Sequence, residues 1–446
     1  MSTGTSGLQA TVDLALKEGI RAGCSDVSII GSRSLTSQVR FSNNSITLVN
    51  SVRNITIDFY LAKNRRRILG SSSNPTERGV RSFVQRLVSA CESLPESKDY
   101  APLPSGPFHY QKRGNYDPKV ADAPLVDYVN EAIESALRSG ALRVSGSLNT
   151  ESTQSIISTS AGANADDKVS MMLLNVRAFA DDNASGHGLS CTSFISDFRA
   201  GEAGRRAGEY AKMSLHPVQL EQGKYDVIFL STVVANILPV AGAASAFAIQ
   251  TGMSYLADKL GQRVGVESLG VMDQAVPERG LGGRSFDDEG TPTQDNDVIS
   301  RGTFSTILHN TTTAKKFSAK STGNAGIIVP RPNTVVFEKG GVTFDEMIKD
   351  TRNGVLITNN WYTRYQNQRT GEYSTVPRDA AFKIKDGAIA EPLFGLRVSD
   401  SIPRQLSSIE AISTEREWIK WWEVDTPTFA PAMKISGVPI TRAVGS

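Results

Sequence analysis

No histidine in this chain of 446 residues is followed by glutamate. The four histidines, His109, His187, His216 and His309, lie too far apart for two to share a helix face. A catalytic zinc needs about three protein ligands and an open position, so a His-Glu zinc helix is excluded. Only three cysteines occur, Cys24, Cys91 and Cys191. Odd in number and widely spaced, they form no disulfide framework or paired-cysteine metal motif, and reduced thiols in a cytoplasmic protein are expected. Neither charge dominates: 48 basic and 46 acidic residues leave +2. That balance argues against nucleic acid or an anionic membrane as a partner. Met1–Gly7 lacks a signal-peptide pattern. No Gly-x-Ser-x-Gly elbow and no Gly-x-Gly-x-x-Gly after a strand is present, so hydrolase-fold and dinucleotide readings have no support. One uncharged run, Val227–Ile249, has the length of a membrane span. Asn236, Pro239 and Gly242 dilute it, and it divides into a buried strand, Tyr225–Leu230, and a small-residue helix beyond Asn236.

What is there reads as α+β: two small helix-flanked antiparallel β modules and a larger, mostly antiparallel C-terminal β domain. The length requires more than one core. Residues 1–95 form a helix, β-meander and helix; 96–117 a linker rich in Pro, Ser, Tyr and Gly; 118–216 a second helix, β and helix module; 217–446 the β-rich domain. In the first module Leu8, Val12, Ala15, Leu16 and Ile20 recur at helical spacing, followed by Gly23. Short alternating runs follow (Asp26–Ile30, Thr36–Phe41, Ile46–Val49, Ile55–Leu61, Arg67–Gly70), with turns at Asn43-Asn44 and Asn64-Arg65. Asn74 and Glu77 fit a capping box with Pro75 at the first helical position. The second module repeats the rhythm: a helix over Pro124–Leu137, strands from Ala141 to Ile195 and a closing helix Arg199–Lys212. Beyond Pro217, Arg301-Gly302 and Asp386-Gly387 mark hairpins, Asp345–Thr351 a short helix, and Phe429–Arg442 a closing strand.

Several constellations bear on chemistry. The acidic block Asp287, Asp288, Glu289 and Gly290 has the carboxylates for a hard cation or acid–base work. Without a nearby histidine, the sequence favours a turn at Gly290 whose carboxylates accept backbone N–H bonds. Lys320, Ser321, Thr322, Gly323 and Asn324 resemble a phosphate loop only superficially, because the lysine precedes the glycines. A polar loop, or one offering N–H groups to a peptide in a channel, fits better. His187 and Cys191 lie four apart on a strand, too far for one ion at about 13 Å. Arg65, Arg66 and Arg67 read as a solvated hairpin rather than a nucleic-acid contact. Trp418, Trp421 and Trp422 suit a core edge and a partner anchor equally.

Ser285–Pro292, Val298–Gly302 and Lys320–Gly326, in that order and spacing, resemble the TldD/PmbA family, also written TldD/TldE. The Ser-Thr-Gly-Asn-Ala-Gly block points to the PmbA branch. TldD-like members carry His-Glu-x-x-x-His on a helix after the first strand of the C-terminal domain and a late zinc-binding cysteine. PmbA-like members lack the motif and pair with them in a heterodimer that trims peptides inside an enclosed channel; older descriptions tie the family to DNA gyrase modulation. The resemblance implies that the motif helix falls near Leu238–Phe247. There Pro239 and Ala244 take the two histidine positions and Val240 that of the general-base glutamate. No histidine occurs between Pro217 and Leu308, and no cysteine follows Cys191. The implied protein is a cytoplasmic, non-catalytic PmbA/TldE-like pseudoenzyme subunit of a metalloprotease complex. It would hold no cofactor of its own; zinc is expected in a TldD-like partner, with peptide or unfolded chain as substrate. Asp287–Gly290 and Lys320–Asn324 are the candidates for channel lining or interface. A homodimer, a self-sufficient family metallopeptidase and a non-proteolytic regulator of the gyrase-modulator type remain alternatives.

Overall fold

The computed structural model describes residues 5–111 and 114–442; most of the polar opening Met1–Gly7 lies outside them. The first module runs α1 (Thr5–Arg21), β1 (Asp26–Ser42), β2 (Ser45–Lys63), β3 (Arg66–Ser72), α2 (Glu77–Glu92). The second runs α3 (Leu125–Arg138), β4 (Arg143–Thr159), β5 (Asn164–Phe179), β6 (Ser185–Thr192), α4 (Ala200–Met213). The short alternating runs merge into long strands. β1 is hydrogen-bonded on both edges, by β2 and by β4, so the polar stretch between its apolar runs stays extended. This β1–β4 pairing, from Ser28↔Thr159 to Phe41↔Gly146, joins the two modules into one antiparallel sheet ordered β3-β2-β1-β4-β5-β6. Both predicted asparagine turns form. Asn43 and Asn44 (φ 50° and 68°) and Asn64 and Arg65 (φ 51° and 61°) adopt the two successive positive φ angles of a tight hairpin.

One face of the sheet carries the helices. α1 and α2 close a core around Val12, Ile29, Phe59 and Val84; α3 and α4 close another around Val39, Ile133, Leu148 and Leu174. α2 starts later than the capping-box reading placed it. Thr76 is its N-cap, accepting from Gly79 N, while the Asn74 side chain accepts from the Thr76 N–H and hydroxyl. Asn74 thus makes a local turn ahead of the helix.

The C-terminal domain begins β7 (Val218–Gln219), β8 (Gly223–Phe229), α5 (Ser231–Ile237), α6 (Val240–Ala243), α7 (Ala246–Gln250), β9 (Val271–Gln274), β10 (Asn296–Ser300), β11 (Thr303–Phe304). It continues α8 (Thr311–Lys316), β12 (Thr334–Phe337), α9 (Phe344–Lys349), β13 (Asn353–Ile357), β14 (Asn360–Asn367), β15 (Glu372–Pro377), β16 (Ala381–Lys385). It ends β17 (Ala388–Phe394), β18 (Leu396–Ser401), α10 (Ile402–Ser407), β19 (Ile409–Trp421), β20 (Val424–Arg442). These strands form one large sheet centred on β20, antiparallel except for the β12/β20, β8/β13 and β7/β17 pairs. The uncharged run is β8 followed by three short helices rather than one. α5 ends at Leu238 because the residue before Pro239 is biased away from helical geometry. Among the described residues no helix is long and apolar enough to cross a membrane.

The described residues between α2 and α3 are mostly irregular, with a 3-10 turn at Pro118–Asp122, but they are tied down at several points. Leu103 N donates to Asp26, and Asn115 Nδ2 donates to the carbonyls of Pro277 and Gly282, both at 2.9 Å. The arginine triplet lies in the expected hairpin, with Arg65 exposed and Arg66 and Arg67 half-buried. Arg65 and Arg66 donate to the carbonyls of Lys98 and Leu94, and Arg67 reaches across to Thr312 Oγ1 at 3.0 Å. Arg65 and Arg66 thus fold back on the chain's own carbonyls, Arg66 also pairs with Glu96 at 3.4 Å, and Arg67 is held by a hydroxyl.

Candidate functional site

The acidic block at Asp287–Gly290 and the polar loop Lys320–Asn324 of the C-terminal half meet in one knot of loops, most of it buried. Asp287 Oδ1 accepts from Glu289 N (3.0 Å) and Thr291 N (2.9 Å), and its Oδ2 accepts from Ala325 N (3.0 Å). Gly290 turns the chain at φ 81°. Glu289 Oε2 accepts from Thr311 N and Oγ1, fixing the start of α8. Thr322 Oγ1 accepts from His309 N at 2.7 Å. Asn324 donates to Asp273 at 2.6 Å and to the Arg331 carbonyl at 3.0 Å. Asp273 also accepts from Asn333 N and Thr334 N. Burial pushes the Asp273 carboxyl up to about 6 against these donors. Asp287 and Glu289 are raised by burial as well, and the Glu289 charge adds to the rise at Asp287.

Asp288 points the other way. Its carboxylate meets Arg284 at 2.6 Å and Arg331 at 3.3 Å, and its carbonyl accepts from Ser28 Oγ of β1. This cluster rims a cleft of about 660 Å³ between the helix-free face of the six-stranded sheet and the C-terminal domain. The sheet supplies Ser28, Ser32, Asp58, Tyr60, Thr153 and Asp167; the domain supplies Arg284, Phe286, Asp288, Ile327 and Arg331. Asp167 is raised by burial, opposed by bonds from the Ser285 N–H and hydroxyl. Burial likewise raises Tyr60 above the usual phenol range. The floor is therefore rich in hydroxyls, which suits an extended chain with its own N–H and C=O groups to satisfy.

Of the residues singled out from sequence, Asp288 alone lines the cleft. Asp287, Glu289, Gly290, Thr322, Gly323 and Asn324 are buried in the knot behind it, Lys320 is exposed and Ser321 half-buried. Asp273, Arg284 and Arg331 were missed. Their roles come from long-range contacts; the one local signal was the four-residue spacing of Arg284 and Asp288. His187 faces Trp421 (ring centroids 4.9 Å apart) and bonds Asn175, while Cys191 donates to the Lys420 carbonyl. The tryptophans divide: Trp418 stacks on Phe429, Trp421 is buried, and Trp422 is 54% exposed beside Trp361 and Tyr362.

Pro239, Val240 and Ala244 lie at α6, directly after α5. Val240 and Ala244 are wholly buried in the main C-terminal core, and the Ala244 carbonyl accepts from Leu308 N. These side chains offer no nitrogen, oxygen or sulfur to a metal. Among the described residues no three His, Cys, Asp or Glu side chains converge in a metal-binding group. The residues at this place do not fit a zinc ion.

The family description "PmbA/TldA metallopeptidase C-terminal domain" matches residues 222–442, and the corresponding central domain matches 115–215. A metalloprotease of Methanothermobacter thermautotrophicus is 27% identical over 227 residues, 48% of each chain. A metalloprotease PmbA homolog of Haemophilus influenzae is 29% identical over 208 residues, 46% of this chain and 44% of that one. The chain thus spans about half the length of the curated relatives it matches. TldE from Thermococcus kodakarensis superposes with a TM-score of 0.85 at 18% identity, over 97% of this chain and 100% of that one. A Thermotoga maritima protein described as a candidate DNA gyrase modulator gives 0.85 at 21%, with the same coverage. At such identities the structures establish a shared fold. The α+β architecture and the matched domains agree, and the chain belongs to the PmbA/TldD family.

Proposed function

We propose that this chain is a non-catalytic, PmbA/TldE-like subunit of a TldD/TldE-type metalloprotease complex. It shapes the peptide-holding chamber while a TldD-like partner supplies zinc and activated water. The observation that carries the reading is the apolar set Pro239, Val240 and Ala244, two of them sealed in the core, where the resemblance expects two histidine ligands and the general-base glutamate. Such side chains neither polarise a carbonyl nor activate water.

The peptide's place in this reading is the cleft. β2 pairs with β3 only from Ile57 to Lys63, leaving the outer edge of residues 45–56 without a partner strand among the described residues. Leu48, Val49 and Val52 are 43%, 59% and 41% exposed there, an unprotected edge of the kind that extended peptides extend by one strand. A peptide added to it runs toward Asp58 and Tyr60 of the same strand, which line the cleft.

Purification from cells that make the chain natively tests the assignment. Recovery in a 1:1 complex with a chain bearing His-Glu-x-x-x-His is expected. A second reading, regulation without proteolysis, is favoured by the likeness to the Thermotoga protein. Recovery with a topoisomerase and no zinc-motif partner would replace the first reading with that one.

A further inference from the structure

A second cavity, of about 1060 Å³, shares no lining residue with the cleft. It opens where the end of β5 meets β14, β15 and the β17–β18 turn, and four arginines border it: Arg177, Arg364, Arg378 and Arg397. Three carboxylates stand beside them, Asp181, Asp182 and Asp379, and two are already engaged. Asp379 pairs with Arg177 at 2.5 Å and also accepts from Ser185 and Asn359. Asp181 caps its own turn, accepting from Asn183 N and Ala184 N.

The other three arginines meet no carboxylate among the described residues. Arg364 donates to the Thr363 carbonyl and lies 5.7 Å from the Tyr362 ring centre. Arg378 lies 6.0 Å from that of Trp361. Arg397 donates to Ser374 Oγ. Contact with a ring face holds a guanidinium in place while its in-plane N–H donors stay free, and that fork matches the oxygens of a carboxylate or phosphate.

The backbone adds an independent sign. The β14–β15 ladder slips between Trp361 and Arg364, and Tyr362 sits inside the slip at φ 56°. A bulky side chain in the left-handed region is strained, and such strain persists where the surroundings hold it, commonly at ligand sites. Here the Tyr362 N–H is held by Glu423 Oε1 at 2.8 Å. Bulges of this kind re-aim side chains.

We propose that this cavity binds an oxyanion-bearing small ligand through Arg364, Arg378 and Arg397, with Tyr362 as a flat wall. Isothermal titration of the full chain at low ionic strength with two probes, tripolyphosphate and citrate, tests it. Saturable binding of at least one probe is expected, and which one binds separates a phosphate from a carboxylate source. Arg364→Gln and Arg378→Gln, both at exposed positions, should each weaken binding about tenfold or more with unchanged melting temperature. Arg40→Gln, on the distant β1–β2 hairpin, should bind as the parent does. No titratable binding of either probe, or an equal loss in Arg40→Gln, would overturn the proposal.

Discussion

Asp273 is fully buried, and its carboxylate holds two distant points of the α8–β12 connection, Asn324 and Asn333-Thr334, through backbone and amide N–H donors. Asparagine is the same size but presents one NH₂ to a ring of donors, including Asn324 and Asn296. Asp273→Asn should therefore cost on the order of 1–3 kcal/mol in urea unfolding; an unchanged midpoint would contradict the role given to this residue. His187 makes the opposite electrostatic statement. Burial first, with Arg177 and Arg206 adding and Asp379 opposing, drops its pKa from 6.5 to about 4. The unfolded chain binds a proton below pH 6.5 that the folded chain refuses down to about pH 4. Stability contributed by neutral His187 is thus complete above pH 6.5 and lost as pH falls toward 4, by about 3 kcal/mol in all. Melting temperatures of the parent and His187→Gln should converge over that range, and a constant gap would refute it. Neither residue was legible as a centre of structure. Asp273 occupies a four-residue strand, and the sequence offered His187 only as an unlikely metal ligand. Their environments come from chain segments tens of residues away.

At the scale of elements, the sequence was legible where the signal is local. The Asn-Asn, Asn-Arg, Arg-Gly and Asp-Gly turns all carry paired positive φ angles, and α3, α4 and β20 fall within a few residues of their expected bounds. It was illegible where pairing overrides pattern: β1 and β4 read as broken runs because most of their cleft-facing residues, Ser28, Ser32, Thr153 and Ser155, are polar. The fit of α4 was also hidden. Its inner face is Ala203, Gly204, Ala207, Gly208 and Ala211, and the backbone comes close enough that a methyl on Gly188 of β6 would lie 2.0 Å from the Ala203 carbonyl oxygen. Backbone on both sides leaves nothing flexible to yield. Gly188→Ala should destabilise by at least about 1–3 kcal/mol, read as a lowered denaturation midpoint. A wild-type midpoint would show that α4 stands further off than described.

At the scale of the molecule, side chains from both halves lock the sheet against the C-terminal domain. Arg206 meets Glu417 at 2.6 Å, Arg177 meets Asp379, Asn115 ties two carbonyls and Ser285 ties Asp167. The cleft exists because of that docking, so a sequence read element by element could give its C-terminal rim but not its floor. The family blocks were legible because their glycines and carboxylates serve local turns. The absence of histidine from Pro217 to Leu308 was legible too, since it needs no structure to establish.

The most direct test of the account is the zinc content of the purified full chain, alone and co-expressed with a TldD-like partner, together with cleavage of an unstructured peptide. The account predicts far less than one zinc per chain and no cleavage from the isolated protein, with both restored in the complex. One zinc bound per isolated chain, with peptide cleaved, would contradict it.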